Sequence, residues 1–155
     1  MTTQKENPTK EFVTVRIGSQ LFGLPISRAH DVFIPEAITE VPMAPEAVAG
    51  ILNLRGRIVT VIDMRQMLHL PPRSADAPRG MAVGIEYNGE IFGLMIDAVG
   101  EVLRLDDGSV DQNPINLDAG WAGVSKGVYR LEGELMVILD VDRVLASQMP
   151  GAKAA

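Results

Sequence analysis

Asp63 and Asp140 come nearest, by type and surroundings, to acid–base chemistry. Each closes an apolar run, Ile58-Val-Thr-Val-Ile-Asp63 and Leu135-Met-Val-Ile-Leu-Asp140. Two carboxylates held a few ångströms apart share a proton and split their pKa values, as in a catalytic dyad. Each aspartate also stands between a strand-like run and a short helix-like one. There an aspartate accepts hydrogen bonds from the first free N–H groups of the helix, and Gln66, three residues after Asp63, has capping-box spacing. Capping explains both carboxylates and is the preferred reading. The chain has no cysteine, which removes thiol catalysis and cysteine-ligated metals. Neither histidine, His30 or His69, has the compact spacing of a zinc pair. Asp106, Asp107 and Asp111 lack the spacing of a calcium loop, and Gly120-Trp-Ala-Gly-Val-Ser-Lys-Gly127 lacks the ending of a phosphate loop. No nucleophile, base and oxyanion set can be named, so no catalytic residue, metal or cofactor is assigned.

Arg55 poses a different problem. It lies in Gly50-Ile-Leu-Asn-Leu-Arg-Gly-Arg-Ile-Val-Thr-Val-Ile-Asp63, at the break between two apolar runs that read as paired strands. A solvated turn cation is worth little. An arginine held by a carboxylate makes a geometrically specific pair.

The elements that must position these residues follow from patterning. Val13, Val15 and Ile17 alternate with Thr14 and Arg16 as in a half-buried strand. Leu21 to Leu24 forms a further apolar segment, bent or at an edge because of Pro25. Residues 26–34 fit either a helical face or an extended segment, and residues 46–49 fit one helical turn. Residues 64–70 read as a short helix. Residues 71–80, with Pro71, Pro72 and Pro78, read as a linker. Met81–Tyr87 and Ile91–Ile96 flank an Asn88-Gly89 hairpin turn. Residues 99–105 read as a strand, 106–126 as a long loop, 128–131 and 135–139 as a hairpin, and 142–149 as a helix. Residues 1–10 and 150–155 read as flexible tails.

The chain of 155 residues carries a formal net charge of −6. That argues against nucleic acid, whose binders need a basic face. No apolar run approaches the roughly 20 residues of a membrane span, and the start of the chain lacks a signal-peptide core. A cytoplasmic protein without direct membrane insertion is expected.

The chain also repeats itself. Gln20-Leu-Phe-Gly-Leu-Pro-Ile26 matches Glu90-Ile-Phe-Gly-Leu-Met-Ile96, and Asp31-Val32 matches Glu101-Val102. Gly50–Gly56 matches Gly127–Gly133, Ile58–Asp63 matches Leu135–Asp140, and Leu68 matches Leu145. Two similar small β lobes are therefore expected: lobe 1 about 18–70, and lobe 2 about 81–147, completed by an N-terminal strand at 11–17. At the places of Asp31 and Arg55 the second half carries Glu101 and Glu132. The hairpin itself does not require arginine, and an Asp31–Arg55 pair would be special to the first half.

Phe22-Gly-Leu-Pro-Ile26, Ala49-Gly-Ile-Leu-Asn-Leu-Arg-Gly56 and Ile58-Val-Thr-Val-Ile-Asp-Met-Arg65, with Phe92-Gly-Leu-Met-Ile-Asp97 and Val99, Glu101 and Val102, together resemble the CheW family of chemotaxis coupling proteins over about residues 11–147. The resemblance implies a mainly β protein, a single domain of two pseudo-symmetric five-stranded SH3-like barrels sharing a core, with short helices including a C-terminal one. It implies no enzyme activity. It implies two partners, the regulatory domain of the histidine kinase CheA, which has the same fold, and the cytoplasmic helical tip of a chemoreceptor. The adaptor would be recruited to membrane-associated receptor arrays. Matching the family's binding region are Ala29, Gly50, Arg55, Gly93, Val99 and Val102, with Asp31 and Arg55 as a supporting ion pair. In that reading the receptor tip docks between the lobes, and Gly50 and Gly93 let backbone approach it closely. Ala29 stands where the family often has a larger aliphatic residue, and Ile34-Pro35 replaces a more polar turn. A similar adaptor for a non-chemotaxis kinase array is the alternative. A small-ligand binder or hydrolase using the interlobe cleft is the third reading.

Overall fold

The computed structural model describes residues 9–72, 74, 80–106, 108, 110–114 and 119–148. Among the described residues, ten strands and three short helices follow one another: β1 (Thr9–Ile17), β2 (Gln20–Pro25), β3 (Ala29–Phe33), β4 (Val48–Leu54), β5 (Arg57–Asp63), α1 (Met64–Met67), β6 (Met81–Tyr87), β7 (Glu90–Ile96), β8 (Ala98–Asp106), α2 (Ala119–Ala122), β9 (Ser125–Leu131), β10 (Glu134–Leu139) and α3 (Val141–Ala146). Two-residue turns set the hairpins. Arg55-Gly56 (φ 52° and 85°) and Asn88-Gly89 (φ 53° and 80°) both place two left-handed residues between antiparallel strands, the turn whose twist matches that of the strands.

The strands form two five-stranded sheets, ordered β8-β1-β2-β10-β9 and β3-β6-β7-β5-β4. Each closes into a small SH3-like barrel. In the first, Asp111, beyond β8, exchanges two backbone hydrogen bonds of 2.8 and 2.9 Å with Val128 of β9. In the second, Thr39, beyond β3, exchanges two of 2.8 Å with Ile51 of β4.

The barrels do not follow the lobes expected at 18–70 and 81–147. Parallel pairing of β2 with β10 and of β5 with β7 puts the first hairpin of each half into the barrel built by the last three strands of the other. The connections explain this. Only Asp97 lies between β7 and β8, and one residue cannot make the two-residue turn of a tight hairpin. The chain therefore crosses to the other barrel.

Local expectations are corrected as well. The ambiguous residues 26–34 contain strand β3, because Ala29 to Phe33 find partners on β6. Glu46-Ala47 is a plain turn, and Val48 already begins β4. The stretch 106–126 includes α2 and the start of β9. Thr9 and Lys10 belong to β1, paired with Asp106 and Leu105. Much of the linker and of both tails lies outside the described residues.

The apolar side chains sort into three clusters. Phe12, Leu21, Met136 and Ile138 fill the first barrel, and Leu52, Val59 and Val61 fill the second. The largest cluster lies between them and takes Phe22, Leu24, Val137 and Leu139 from the first, Ile62, Phe92 and Leu94 from the second, Leu68 from the end of α1 and Leu145 from α3. Each fully buried Leu, Ile or Phe contributes about 1.5–3 kcal/mol of transfer free energy, so the shared cluster fixes one barrel against the other.

Candidate partner-binding site

Arg55 and Asp31 come together. The β4–β5 turn carries Arg55 beside the edge strand β3, where its Nη2 donates to Asp31 Oδ2. Asn53 Oδ1 accepts from the Gly56 N–H at 2.9 Å and completes the turn. Asp31 pairs across the strands with Gly84 of β6. A Cβ at that glycine would lie 2.5 Å from Asp31 Oδ1, so the missing side chain makes room for the carboxylate. The guanidinium side chain remains 71% exposed, and solvent screens the pair. A left-handed backbone costs a non-glycine residue about 1–2 kcal/mol. Asn88 fills the same position in the β6–β7 turn of the same type and tolerates that conformation better. Turn chemistry therefore does not select arginine at 55.

The other expected contact residues divide. Ala29 on β3 and Val99 on β8 both pack against the edge of the shared cluster. Val102, three residues along β8, is 47% exposed. Val32, its counterpart on β3, is 42% exposed, and Ile34 beyond it 49%. The sequence reading passed over both, although the match of Asp31-Val32 to Glu101-Val102 marks Val32.

Gly50 and Gly93 are corrected. Both are buried and present no surface to a partner. A Cβ on Gly50 (φ 148°) would stand 2.3 Å from the Thr39 carbonyl oxygen, and one on Gly93 2.9 Å from the Phe33 ring. Gly127, the repeat of Gly50, has φ 149° and faces the Asp111 carbonyl oxygen at 2.6 Å. The close backbone approach that Gly50 and Gly127 permit is internal, at the seams of the barrels, and Gly93 makes room for the Phe33 ring.

A cleft of about 1070 Å³ opens between Val41–Val48, Met67, Phe92 and Gln148, and a second of about 540 Å³ between Phe12, Ile26, Lys126 and Val141. None of the six expected contact residues lines either. A helical partner lays its apolar face in a hydrophobic groove, and the residues the resemblance points to lie on the strand faces rather than in these two clefts.

Asp63 and Asp140 each start a helix. Asp63 accepts from the N–H groups of Arg65 (3.0 Å) and Gln66 (3.3 Å), and Asp140 from that of Arg143 (3.1 Å). The capping box inferred from Gln66 does not close, because the Asp63 N–H donates to the Ala47 carbonyl at 2.7 Å. Asp140 N–H does the same to Val124 at 2.7 Å. Asp63→Ala is expected to lower stability by about 1 kcal/mol in chemical denaturation.

Two further charged pairs were not singled out in the sequence. Arg65 and Asp97 meet at 2.7 Å, and Arg28 and Asp142 at 2.9 Å. The hydrogen bond to Asp97 raises the Arg65 pKa, against the opposing effect of burial. The hydrogen bond from Arg28 holds the Asp142 carboxyl below its ordinary value, again against burial. A depressed carboxylate stabilises the fold above its unfolded pKa, about 3.9, and loses that contribution as pH falls through the lower folded value. The Asp142 side chain is 59% exposed, so the effect is small. In a carboxyl NMR titration, Arg28→Ala is expected to raise the Asp142 midpoint.

Among the described residues no group of three or more His, Cys, Asp or Glu could hold a metal ion, and no helix is long and apolar enough to cross a membrane.

Residues 11–149 match the family model described as the CheW-like domain. The chain is similar to a chemotaxis protein CheW of Rhizobium meliloti, with 25% identity over 92% of this chain and 91% of the relative. It is similar also to the CheW of Helicobacter pylori, with 27% identity over 87% and 81%. The crystal structure of the scaffolding protein TtCheW from Thermoanaerobacter tengcongensis superposes with a TM-score of 0.73 at 29% identity, covering 85% of this chain and 89% of that one. With the two closed five-stranded sheets, the family match over nearly the whole described chain leads to one conclusion: this protein belongs to the CheW-like domain family of chemotaxis scaffold and adaptor proteins.

Proposed function

We propose that the protein is a non-catalytic adaptor that couples the cytoplasmic helical tip of a chemoreceptor to the histidine kinase CheA. The receptor helices contact β3 and β8, and the CheW-like regulatory domain of the kinase is held on a second surface. The adaptor works on the cytoplasmic side, in membrane-associated arrays. One observation carries this reading: Val32 and Val102, at equivalent places on β3 and β8, are exposed, while Ala29 and Val99 on the same strands reach the shared cluster. An amphipathic helix binds by laying its apolar face on such residues. The Asp31–Arg55 pair stands beside β3 only, because Glu101 and Glu132 occupy the corresponding places in the other half. That asymmetry gives a pseudo-symmetric surface one orientation for its partner. The use of Asp63 and Asp140 as helix caps favours an adaptor over a hydrolase.

The test is reconstitution with a CheA kinase and a receptor signalling fragment. Kinase activity is expected to become receptor-dependent only when this protein is added. A kinase rate indifferent to the receptor in its presence overturns the reading. Signal passes only where receptor states differ in their contacts with the complex, so the assay compares at least two receptor states.

A further inference from the structure

We propose that Arg65–Asp97 and Arg28–Asp142 are two latches of opposite polarity that pin the starts of β8 and β3 to the helix of the opposite barrel, and that only the β3 latch yields when a partner docks. The part concerning the partner rests on the function proposed above.

The helix members of the latches occupy corresponding places, and the strand members each stand just before their strand, one residue apart in the repeat. Arg65 stands two residues after the cap Asp63, and Asp142 two residues after the cap Asp140. Asp97 immediately precedes β8, and Arg28 immediately precedes β3. Helix α1 continues from β5 of the second barrel, yet it holds the start of β8 in the first. Helix α3 continues from β10 of the first barrel, yet it holds the start of β3 in the second. The charges are exchanged: the helix supplies the cation in one latch and the anion in the other.

The latches differ in strength. Arg65 makes a bidentate pair, Nε to Asp97 Oδ1 at 3.1 Å and Nη2 to Oδ2 at 2.7 Å. Asp97 Oδ2 also accepts from the Gly18 N–H at 2.7 Å, and its own N–H donates to the Arg16 carbonyl at 2.9 Å. The two side chains are only 21% and 17% exposed. Bidentate charge-assisted bonds shielded from water are the strong kind. The Arg28–Asp142 contact is a single one at 2.9 Å, 31% and 59% exposed, and Arg28 adds a 3.3 Å bond to the Glu86 carbonyl. Exposed pairs of this kind are individually weak. Strand β3 is also the shorter, at five residues against nine for β8, and pairs with β6 at four positions against seven for β8 with β1, although both pairings carry a register shift. A strand with few pairs and a weak anchor adjusts at low cost. The other half is held fast.

Amide hydrogen exchange on the free protein tests the latches without any partner. Arg28→Ala is expected to speed exchange in residues 29–33 by up to about fivefold and to leave residues 98–106 at the wild-type rate. The charge-swapped R28D/D142R is expected to restore protection. The swap R65D/D97R is not expected to restore the β8 start, because the Gly18 N–H then loses its acceptor. Wild-type exchange at β3 in Arg28→Ala, equal acceleration at β8, or full rescue by R65D/D97R overturns the proposal. Binding of a receptor fragment to Arg28→Ala is expected to tighten by up to about fivefold, because the partner no longer has to open the latch, and to return to the wild-type value with R28D/D142R. Altered exchange at β3 with unchanged binding leaves the latches in place but overturns β3 as a partner-facing strand.

Discussion

Replacing Gly50 with alanine is expected to destabilise the protein by about 3–4 kcal/mol and to lower its Tm by on the order of 10 °C. Two effects add. At φ 148° an L side chain is strained, and the new Cβ would stand 2.3 Å from the Thr39 carbonyl oxygen and 2.7 Å from the Ile38 side chain. Relief requires moving Thr39, which breaks the two hydrogen bonds to Ile51 that close the second barrel. Gly56→Ala is the control. Its φ is also positive, at 85°, but nothing lies within 4 Å of the added Cβ, so only the backbone penalty of about 1–2 kcal/mol applies. Thermal unfolding of the two variants side by side measures the difference. Partner binding per folded molecule should be little changed in Gly50→Ala. A variant with wild-type Tm and lost binding would restore Gly50 as a contact residue and refute the seam.

Arg55 should behave in the opposite way, with a large effect on binding and a small one on folding. Arg55→Glu places a carboxylate beside Asp31, where the pair is more than one-third exposed on both sides. Loss of such a screened pair changes stability by about 1 kcal/mol or less. Truncating one member of a charge pair that an interface desolvates costs roughly 2–5 kcal/mol in binding, so assembly of the receptor–kinase complex should fall by at least tenfold. Arg55→Asn separates the roles further. Asparagine suits the left-handed turn, as Asn88 shows in the β6–β7 hairpin, so the variant should be as stable as the wild type or slightly more so and still assemble poorly. Co-sedimentation with kinase and receptor fragment, alongside chemical denaturation, gives both readouts. Normal assembly by Arg55→Glu would sink the assignment.

Much of this was legible without coordinates because the local rules agree with the fold. Alternating apolar residues gave β1, and Asn88-Gly89 marked the β6–β7 hairpin. The repeat of Phe22-Gly-Leu in Phe92-Gly-Leu paired the two halves and exposed Arg55 as the residue they do not share. The aspartates after β5 and β10 declared themselves as caps, since an N-cap is a contact within four residues of the chain. Arg65 and Asp97 both lie in motifs of the family, but their pairing is not legible in the sequence, because 32 positions separate them and nothing local says that they meet.

What the sequence determined by itself is therefore most of the strands and their turns, the duplication and the family; β3 reads equally as helix or strand. These depend on short-range periodicity, turn residues and motif spacing. Only the tertiary structure decided how the halves combine. The exchange of hairpins between barrels depends on parallel pairing of β2 with β10 and of β5 with β7, strands far apart in the chain. Pairing at that distance is set by burial of the shared cluster, to which no single segment commits. The same distance explains Gly50. A glycine needed for close approach looks the same whether the approaching group is a partner or the chain's own Thr39, and only the folded backbone distinguishes the two.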